Sequence, residues 1–324
     1  MRYRPLGQSS IEASAVGFGA WAIGGWMWGG TDQREAVRAI QAALDEGITL
    51  IDTAPAYGLG LSEELVGEAI AGRRDQVVLA TKCGLVWHSG GGRFFFHQDG
   101  KPVHRYLGGN SIRYELEQSL RRLRTDYVDL YQTHWQDSTT PIEETMTTLV
   151  DLRRQGKIRA IGVSNASVED IRRYQRLGPM DTDQEKYSLL DRDHEAALVP
   201  YCREQGIALL AYSPLANGLL TGKIGPERGF SGDDLRRNNP RFSVENRVRI
   251  QGMLGQVRPI AEGHGLTLGQ LAIAWTLAQP GITHALVGAR NPRQAIENAG
   301  AADAVLSDEE LAAISGAFRQ PIGR

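Results

Sequence analysis

Short apolar runs alternate with longer amphipathic stretches along almost the whole chain, and no other feature restricts its possible folds as much. Strands are expected near 15–18, 48–52, 77–81, 128–133, 158–163, 182–186, 207–212 and 284–288. Helices are expected near 33–46, 61–71, 111–124, 142–155, 167–176, 193–205, 267–279 and 292–300. Most of these strands are apolar at most positions, as strands covered on both faces should be, with 182–186 (Thr-Asp-Gln-Glu-Lys) the exception. Eight such βα units predict an α/β fold, a closed (β/α)8 barrel of the TIM type. Residues 2–12 read as an N-terminal β-hairpin around Gly7-Gln8-Ser9-Ser10, and an extra helix near 307–318 is expected to pack across the barrel. A length of 324 residues suits one such unit, so 1–324 reads as a single domain. The alternative, a doubly wound sheet, wants a glycine fingerprint after its first strand. Gly17-Phe18-Gly19-Ala20-Trp21-Ala22 lacks the third glycine, and no clean helix follows it.

Local signals support the count. Thr31 with Arg34-Glu35, Ser62-Glu63-Glu64, Ser167-Val168-Glu169-Asp170 and Ser307-Asp308-Glu309-Glu310 read as capped helix starts. Pro141 and Pro292 stand where a first helical position tolerates proline. Two loops, 84–109 and 216–243, are too long to be mere connections, and both follow strand C-termini, where a barrel places its active site. His88, His97 and His104 in the first loop have no ligand spacing, so no metal site is expected. A net charge of −2 gives no general reason to bind nucleic acid or an anionic membrane. Arginine runs such as Arg121-Arg122-Leu123-Arg124 fall late in helices, where cations suit the helix dipole. The two cysteines, Cys83 and Cys202, the lack of an apolar signal core after Met1, and the lack of a membrane-length apolar run lead to the expectation of a cytoplasmic protein.

The strand ends carry the chemistry. Asp52 leaves the end of one apolar run and Tyr57 follows on a turn, Lys82 ends a second run, and His134 ends a third. If these strands lie parallel and adjacent, the four side chains converge at one mouth. A phenol is a poor acid near neutrality, with a pKa of about 10. An ammonium about 4 Å away favours the phenolate by roughly 4 kcal/mol, or about three pKa units. Lys82 is expected to supply that charge, Asp52 to hold it, and His134 to orient a carbonyl oxygen or relay a proton. Together they make a general acid for a carbonyl acquiring negative charge. Such an acid needs a hydride source, and without a redox metal or cysteine pair a nicotinamide cofactor is the economical inference.

Several motifs taken together resemble the aldo-keto reductase family, closest in pattern to its bacterial and potassium-channel-β-like branch. They are Gly17-Phe18-Gly19-Ala20-Trp21, Asp52-Thr53-Ala54-Pro55-Ala56-Tyr57-Gly58, Gly156-Lys157 through Ser164-Asn165, Ala211-Tyr212-Ser213-Pro214-Leu215, and Gly288-Ala289-Arg290-Asn291-Pro292 leading to Glu297-Asn298. The resemblance implies NADPH-dependent, reversible reduction of aldehydes or ketones, with Tyr57 as proton donor supported by Asp52, Lys82 and His134. It implies that Ser164, Asn165 and Gln184 hold the nicotinamide carboxamide and that Tyr212 stacks on its ring. Ala20 and Trp21 would also contact the cofactor, Ser213, Leu215, Gly218 and Lys223 would fold over its pyrophosphate, and Gly288, Arg290, Gln294, Glu297 and Asn298 would grip its adenosine end.

A guanidinium at Arg290 suits a 2′-phosphate. Gln294, where many members of the family carry arginine, weakens that grip and leaves NADH as a weaker alternative. Trp21, Trp87 and Trp135 would line the substrate side, an aromatic slot with few charges that suits uncharged aldehydes and ketones better than strongly anionic substrates. The partner expected is thus a small carbonyl or alcohol compound. Potassium-channel β-subunits, similar in length and in the Gly-Lys loop, suggest a nicotinamide-sensing binding protein as the alternative. They carry asparagine at the fourth catalytic position, and His134 favours the enzyme. Nothing in the helices marks an oligomeric interface.

Overall fold

The computed structural model describes residues 1–320 and 322. Its elements in chain order are β1 (Tyr3–Pro5), β2 (Glu12–Ser14), β3 (Val16–Gly19), α1 (Gln33–Asp45), β4 (Leu50–Asp52), α2 (Leu61–Ala69), β5 (Val78–Cys83) and β6 (Leu85–Val86). Then come β7 (Arg93–Gln98), β8 (Lys101–Arg105), α3 (Gly109–Leu123), β9 (Val128–Thr133), α4 (Ile142–Arg154), β10 (Ile158–Ser164), α5 (Val168–Gln175) and β11 (Thr182–Lys186). The remainder are α6 (Leu198–Glu204), β12 (Ala208–Tyr212), α7 (Val244–Gly263), α8 (Leu268–Ala278), β13 (Ile282–Val287), α9 (Pro292–Ala299) and α10 (Asp308–Ala317).

Eight parallel strands close into a barrel in the order β10-β11-β12-β13-β3-β4-β5-β9, as the alternation predicts. Alternate residues of each strand face opposite ways. Ile51, Leu79, Tyr131, Ile161, Leu209 and Ala285 pack outward under the helices. Leu50, Ala80, Leu130, Ala160, Leu210 and Leu286 fill the barrel. The β1–β2 hairpin plugs its lower end, where Leu6, Ile11 and Ala13 join the interior cluster. Only glycine fits at the hairpin tip: Gly7 has φ +59°, and a Cβ there would stand 1.9 Å from the Asp181 carbonyl oxygen. Arg4 ties the plug down by donating to the carbonyls of Leu277, Ile282 and Thr283.

Several expectations are corrected. The final helix, α10, packs beside α7 and α8 rather than across the barrel. Asp32, not Thr31, caps α1 by accepting from the Glu35 amide. Ser62 caps nothing; it is buried in the first turn of α2, donating to the Ala20 carbonyl at 2.8 Å and lying 2.9 Å from the Thr53 hydroxyl. Pro141 stands at the cap rather than the first turn of α4. The stretch 193–205 divides into a 3₁₀ turn, Asp193–Ala196, and α6. The loop 84–109 folds as an antiparallel sheet in the order β6-β8-β7. The capping boxes at Ser167 and Ser307 form as expected. Among the described residues, no helix is long and apolar enough to cross a membrane.

Candidate active site

The inner-wall positions that bury leucine and alanine low in the barrel become polar two residues later. Leu50 leads to Asp52, Ala80 to Lys82, Leu130 to Gln132 and on to His134, Ala160 to Gly162 and Ser164, and Leu210 to Tyr212. The strands are parallel, so all these side chains gather at one mouth. The Lys82 ammonium donates to Asp52 Oδ1 at 2.6 Å, to the Thr53 carbonyl at 3.0 Å and to the Tyr57 oxygen at 3.2 Å. The other oxygen of Asp52 accepts from the Gln184 amide at 2.9 Å and more weakly from Gln132 at 3.4 Å. The Tyr57 ring meets His134 edge-on with centroids 5.6 Å apart. Gly58 sets the turn that presents the phenol: its φ is +68°, and a Cβ would stand 2.2 Å from the Gly24 carbonyl oxygen.

The charge balance differs from the expected one. Burial raises the Tyr57 pKa by more than Lys82 lowers it, so the phenol lies above its ordinary value instead of three units below. Asp52, in contact with the ammonium, adds a smaller push in the same direction as burial. Lys82 itself stays charged: burial disfavours its ammonium, but Asp52 and then Tyr57 outweigh burial and raise its pKa. Burial, and then the nearby Lys82 charge, hold His134 well below the usual histidine range, so its imidazole is neutral at pH 7.

A second hydrogen-bonded chain runs from this group to the neighbouring strands. The Tyr212 hydroxyl donates to Asn165 Oδ1 at 3.0 Å, and the Asn165 amide donates to the His134 carbonyl and the Ser164 hydroxyl, both at 3.0 Å. Ser164 in turn donates to the Gln184 carbonyl at 2.8 Å. Ser164 and Gln184 are buried, whereas Asn165 and Tyr212 are half-buried. Asn165 sits in the left-handed region at φ +53°, and Glu185 steadies that turn from behind by accepting from the Ala166 amide at 2.9 Å. Burial raises Glu185 to about 7, and burial and then the neighbouring Glu185 charge raise Asp183 well above the carboxylate range.

Two loops meet over the end of β13. The segment after β12 bends sharply, with Ser213, Ala216, Asn217 and Gly218 all at positive φ. It then crosses to the loop after β3, where Asp233 accepts from the amides of Met27 at 2.8 Å and Gly29 at 3.1 Å. Lys223 and Glu297 are joined to each other at 2.8 Å. Leu215 packs against the core. Arg290, expected to suit a 2′-phosphate, donates to the carbonyls of Trp28 and Gly30. Gln294 accepts from the Arg290 amide, and Asn298 donates to the Gly288 carbonyl. Ala20 lies beneath the site with its amide bonded to the Asp52 carbonyl and its carbonyl to Ser62.

On the opposite side, Trp21 stands 6.4 Å from the Tyr57 ring and edge-on to Trp28. Trp87 and Trp135 pack with Phe95 and Phe96 on Ala56, Leu85 and Val103, and Phe96 stacks on Trp26. Sequence reasoning missed Gln132, Trp26 and Trp28, and placed Phe94, Phe95 and Phe96 in the long loop after the strand without giving them a site role. Gln132 stood two residues before His134 on the same strand face, a signal that could have found it. The three loop histidines do not converge: His88 packs on Tyr114, while His97 and His104 flank Phe94.

A buried Asp–Lys–Tyr chain beside a neutral imidazole at the C-terminal mouth of a parallel barrel defines an enzyme site for a small molecule. The aldo/keto reductase family model matches residues 15–318. Aldo-keto reductase YhdN of Bacillus subtilis is 46% identical over 297 residues, covering 91% of this chain and 86% of that protein. An NADH-specific methylglyoxal reductase of Escherichia coli is 43% identical, covering 96% of each. The structure of glycerol dehydrogenase AKR11B4 from Gluconobacter oxydans superposes with a TM-score of 0.87 at 41% identity, covering 98% of this chain and 94% of that one. The chain belongs to the aldo/keto reductase family. It is therefore an oxidoreductase, and members of this family work with nicotinamide cofactors.

Proposed function

We propose that the protein reduces aldehydes or ketones to alcohols, reversibly, with Tyr57 delivering the proton. The observation that carries this reading is the direction of one hydrogen bond. Lys82 donates to the Tyr57 oxygen at 3.2 Å, so the phenol's own proton is left to point into the mouth, where a carbonyl oxygen can accept it. Asp52 holds the ammonium that stabilises the phenolate formed in that step. His134, neutral, orients the same oxygen through a ring N–H.

A nicotinamide cofactor, when bound, supplies the hydride. The donor set fits it. Asn165 and Ser164 offer amide and hydroxyl groups suited to a carboxamide, and Gly288 is exposed, with nothing nearer than 3.7 Å to the place a Cβ would occupy. Tyr212 offers a half-buried ring for stacking, and Ser213, Leu215, Gly218, Lys223, Gln294, Glu297 and Asn298 frame the crossing segment. NADPH is the favoured form because Arg290 is a cation next to the start of α9. Its guanidinium already serves two backbone carbonyls, so the preference over NADH should be under about tenfold, less than a free bidentate site worth about 1.5–3 kcal/mol would give. The whole chain is read as one domain, cytoplasmic, acting on a small carbonyl or alcohol compound and not on nucleic acid.

The test is turnover of an aldehyde panel by purified protein with NADPH and with NADH. Tyr57→Phe should lower kcat by about 10² or more with cofactor binding unchanged. Retention of most turnover would remove Tyr57 from the role. Arg290→Ala should raise the KM for NADPH more than that for NADH, and equal changes would remove the phosphate role.

A further inference from the structure

The inserted sheet brings two arginines to the substrate side without any acid to balance them. In the β7–β8 pair, Arg93 lies directly opposite Arg105, Phe94 opposite His104 and Phe96 opposite Val103, with a bulge at Phe95. Alternation therefore puts Val103 and Arg105 on one face and His104 on the other. The Val103 face rests on Leu85 and on Ala56, the residue before Tyr57, so Arg105 looks toward the mouth. Its guanidinium carbon is 3.8 Å from the Phe95 ring centroid and 4.7 Å from that of Trp135, which directly follows His134. Arg105 Nε is buried without a hydrogen-bond partner, and neither arginine has a carboxylate partner among the described residues.

Like charges opposed across a strand pair are destabilising. A guanidinium stacked on aromatic faces keeps its planar edge of N–H donors free, and that edge matches a carboxylate or phosphate. The expectation of a slot with few charges overlooked Arg105, because a residue's strand face in an insertion cannot be read until the hairpin register is known.

We propose that Arg105, with Arg93 opposite it, forms an anion subsite beside Phe95 and Trp135, and that the enzyme's substrates are aldehydes or ketones carrying a carboxylate or phosphate a short chain from the carbonyl. This rests on the carbonyl-reductase reading, and the experiment separates the two. Steady-state reduction is measured for butanal against 4-oxobutanoate, and for glyceraldehyde against glyceraldehyde 3-phosphate, in the wild type, Arg105→Met and Arg105→Lys. Methionine keeps an apolar stem against Phe95 and Trp135 without the charge.

In the wild type, kcat/KM should favour the charged member of at least one pair, and which pair identifies the anion. Arg105→Met should lower that preference ten- to hundredfold, mostly through KM, while the uncharged aldehyde changes less than threefold, and Arg105→Lys should recover part of it. Equal losses for charged and uncharged substrates, or no wild-type preference in either pair, overturn the proposal. If the wild type reduces none of the four, the reductase reading fails. The subsite is then judged by tryptophan-fluorescence titration with succinate and inorganic phosphate: saturable quenching in the wild type that Arg105→Met abolishes supports it, and identical titrations overturn it.

Discussion

At the scale of single residues, the phenol of Tyr57 is pulled two ways, and the outcome sets the pH dependence. Burial pushes its pKa up and Lys82 pulls it down, with burial the larger effect. Reduction needs the protonated phenol, and a raised pKa keeps the proton in place beyond the ordinary value of about 10. The reductive kcat/KM should therefore stay level from pH 7 to about 10 and fall only above that, while the reverse oxidation, which needs the phenolate, rises over the same range. A reductive alkaline limb near pH 7 would show that the ammonium wins after all. Asp52, Tyr57, Lys82 and His134 were legible in the sequence because each is a reactive group at or just beyond the end of an apolar strand. The sign of the Tyr57 shift was not, because it depends first on how deeply the folded barrel buries the phenol, with the Asp52 charge beside Lys82 a smaller push in the same direction.

At the scale of elements, strands and helices that obey one period were legible, and those that break it were not. Helix α7 escaped notice because it turns Asn246 and Arg247 inward, leaves Val244 and Val248 exposed, and contains Pro259. The β7–β8 hairpin was hidden by its bulge and by glycines that read as loop. Ser62-Glu63-Glu64 looked like a cap, yet both side chains it offered first are used as buried anchors: Ser62 under the site, and Glu63 accepting from Thr81 and Arg122 at 2.6 Å each.

The root of the inserted sheet has an anchor of the same kind. Glu115 of α3 accepts from the Gly84 amide at 2.8 Å and from the Ser111 hydroxyl at 3.1 Å, and burial raises its pKa from 4.5 to about 8. The native state thus holds a proton that the unfolded chain releases above about pH 4.5. Stability from this group is complete below that value and is lost as pH rises toward 8. Glu115→Gln removes the titration; its amide oxygen can still accept from the Gly84 amide, while its NH2 can donate to the Ser111 hydroxyl in place of accepting from it. Relative to this variant, the wild type should lose on the order of 3 kcal/mol between pH 5 and 8. Denaturant unfolding at the two pH values measures the difference, and parallel behaviour of the two proteins would mean that Glu115 is not the proton holder.

At the scale of the whole molecule, the barrel supplies a rigid mouth, and two insertions decide what can enter it. One, after β5, brings the aromatic wall and Arg105. The other, after β12, passes over the end of β13 and fastens to the loop after β3, so three consecutive barrel strands share one cover. Local patterning could place both insertions at the correct end of the barrel but could not show that they reach across it, because the fastenings join residues about 200 apart in sequence: Asp233 to the amides of Met27 and Gly29.

If that cover holds the cofactor in, its fastening should govern release more than chemistry. Asp233→Ala removes two hydrogen bonds from an exposed carboxylate, worth about 1 kcal/mol together after solvent screening. Cofactor dissociation, followed by stopped-flow fluorescence, should then speed up about fivefold, while single-turnover hydride transfer stays within a factor of two because no catalytic group is touched. A dissociation rate equal to that of the wild type would mean that the cover is held elsewhere, by the Leu235 amide on the Met27 carbonyl, by Arg236 over Trp28, or by the pair of Lys223 and Glu297 on its β13 side. The double variant Asp233→Ala with Lys223→Ala separates these cases: independent fastenings multiply their effects on the release rate, whereas a single hinged cover shows the full effect with either one broken.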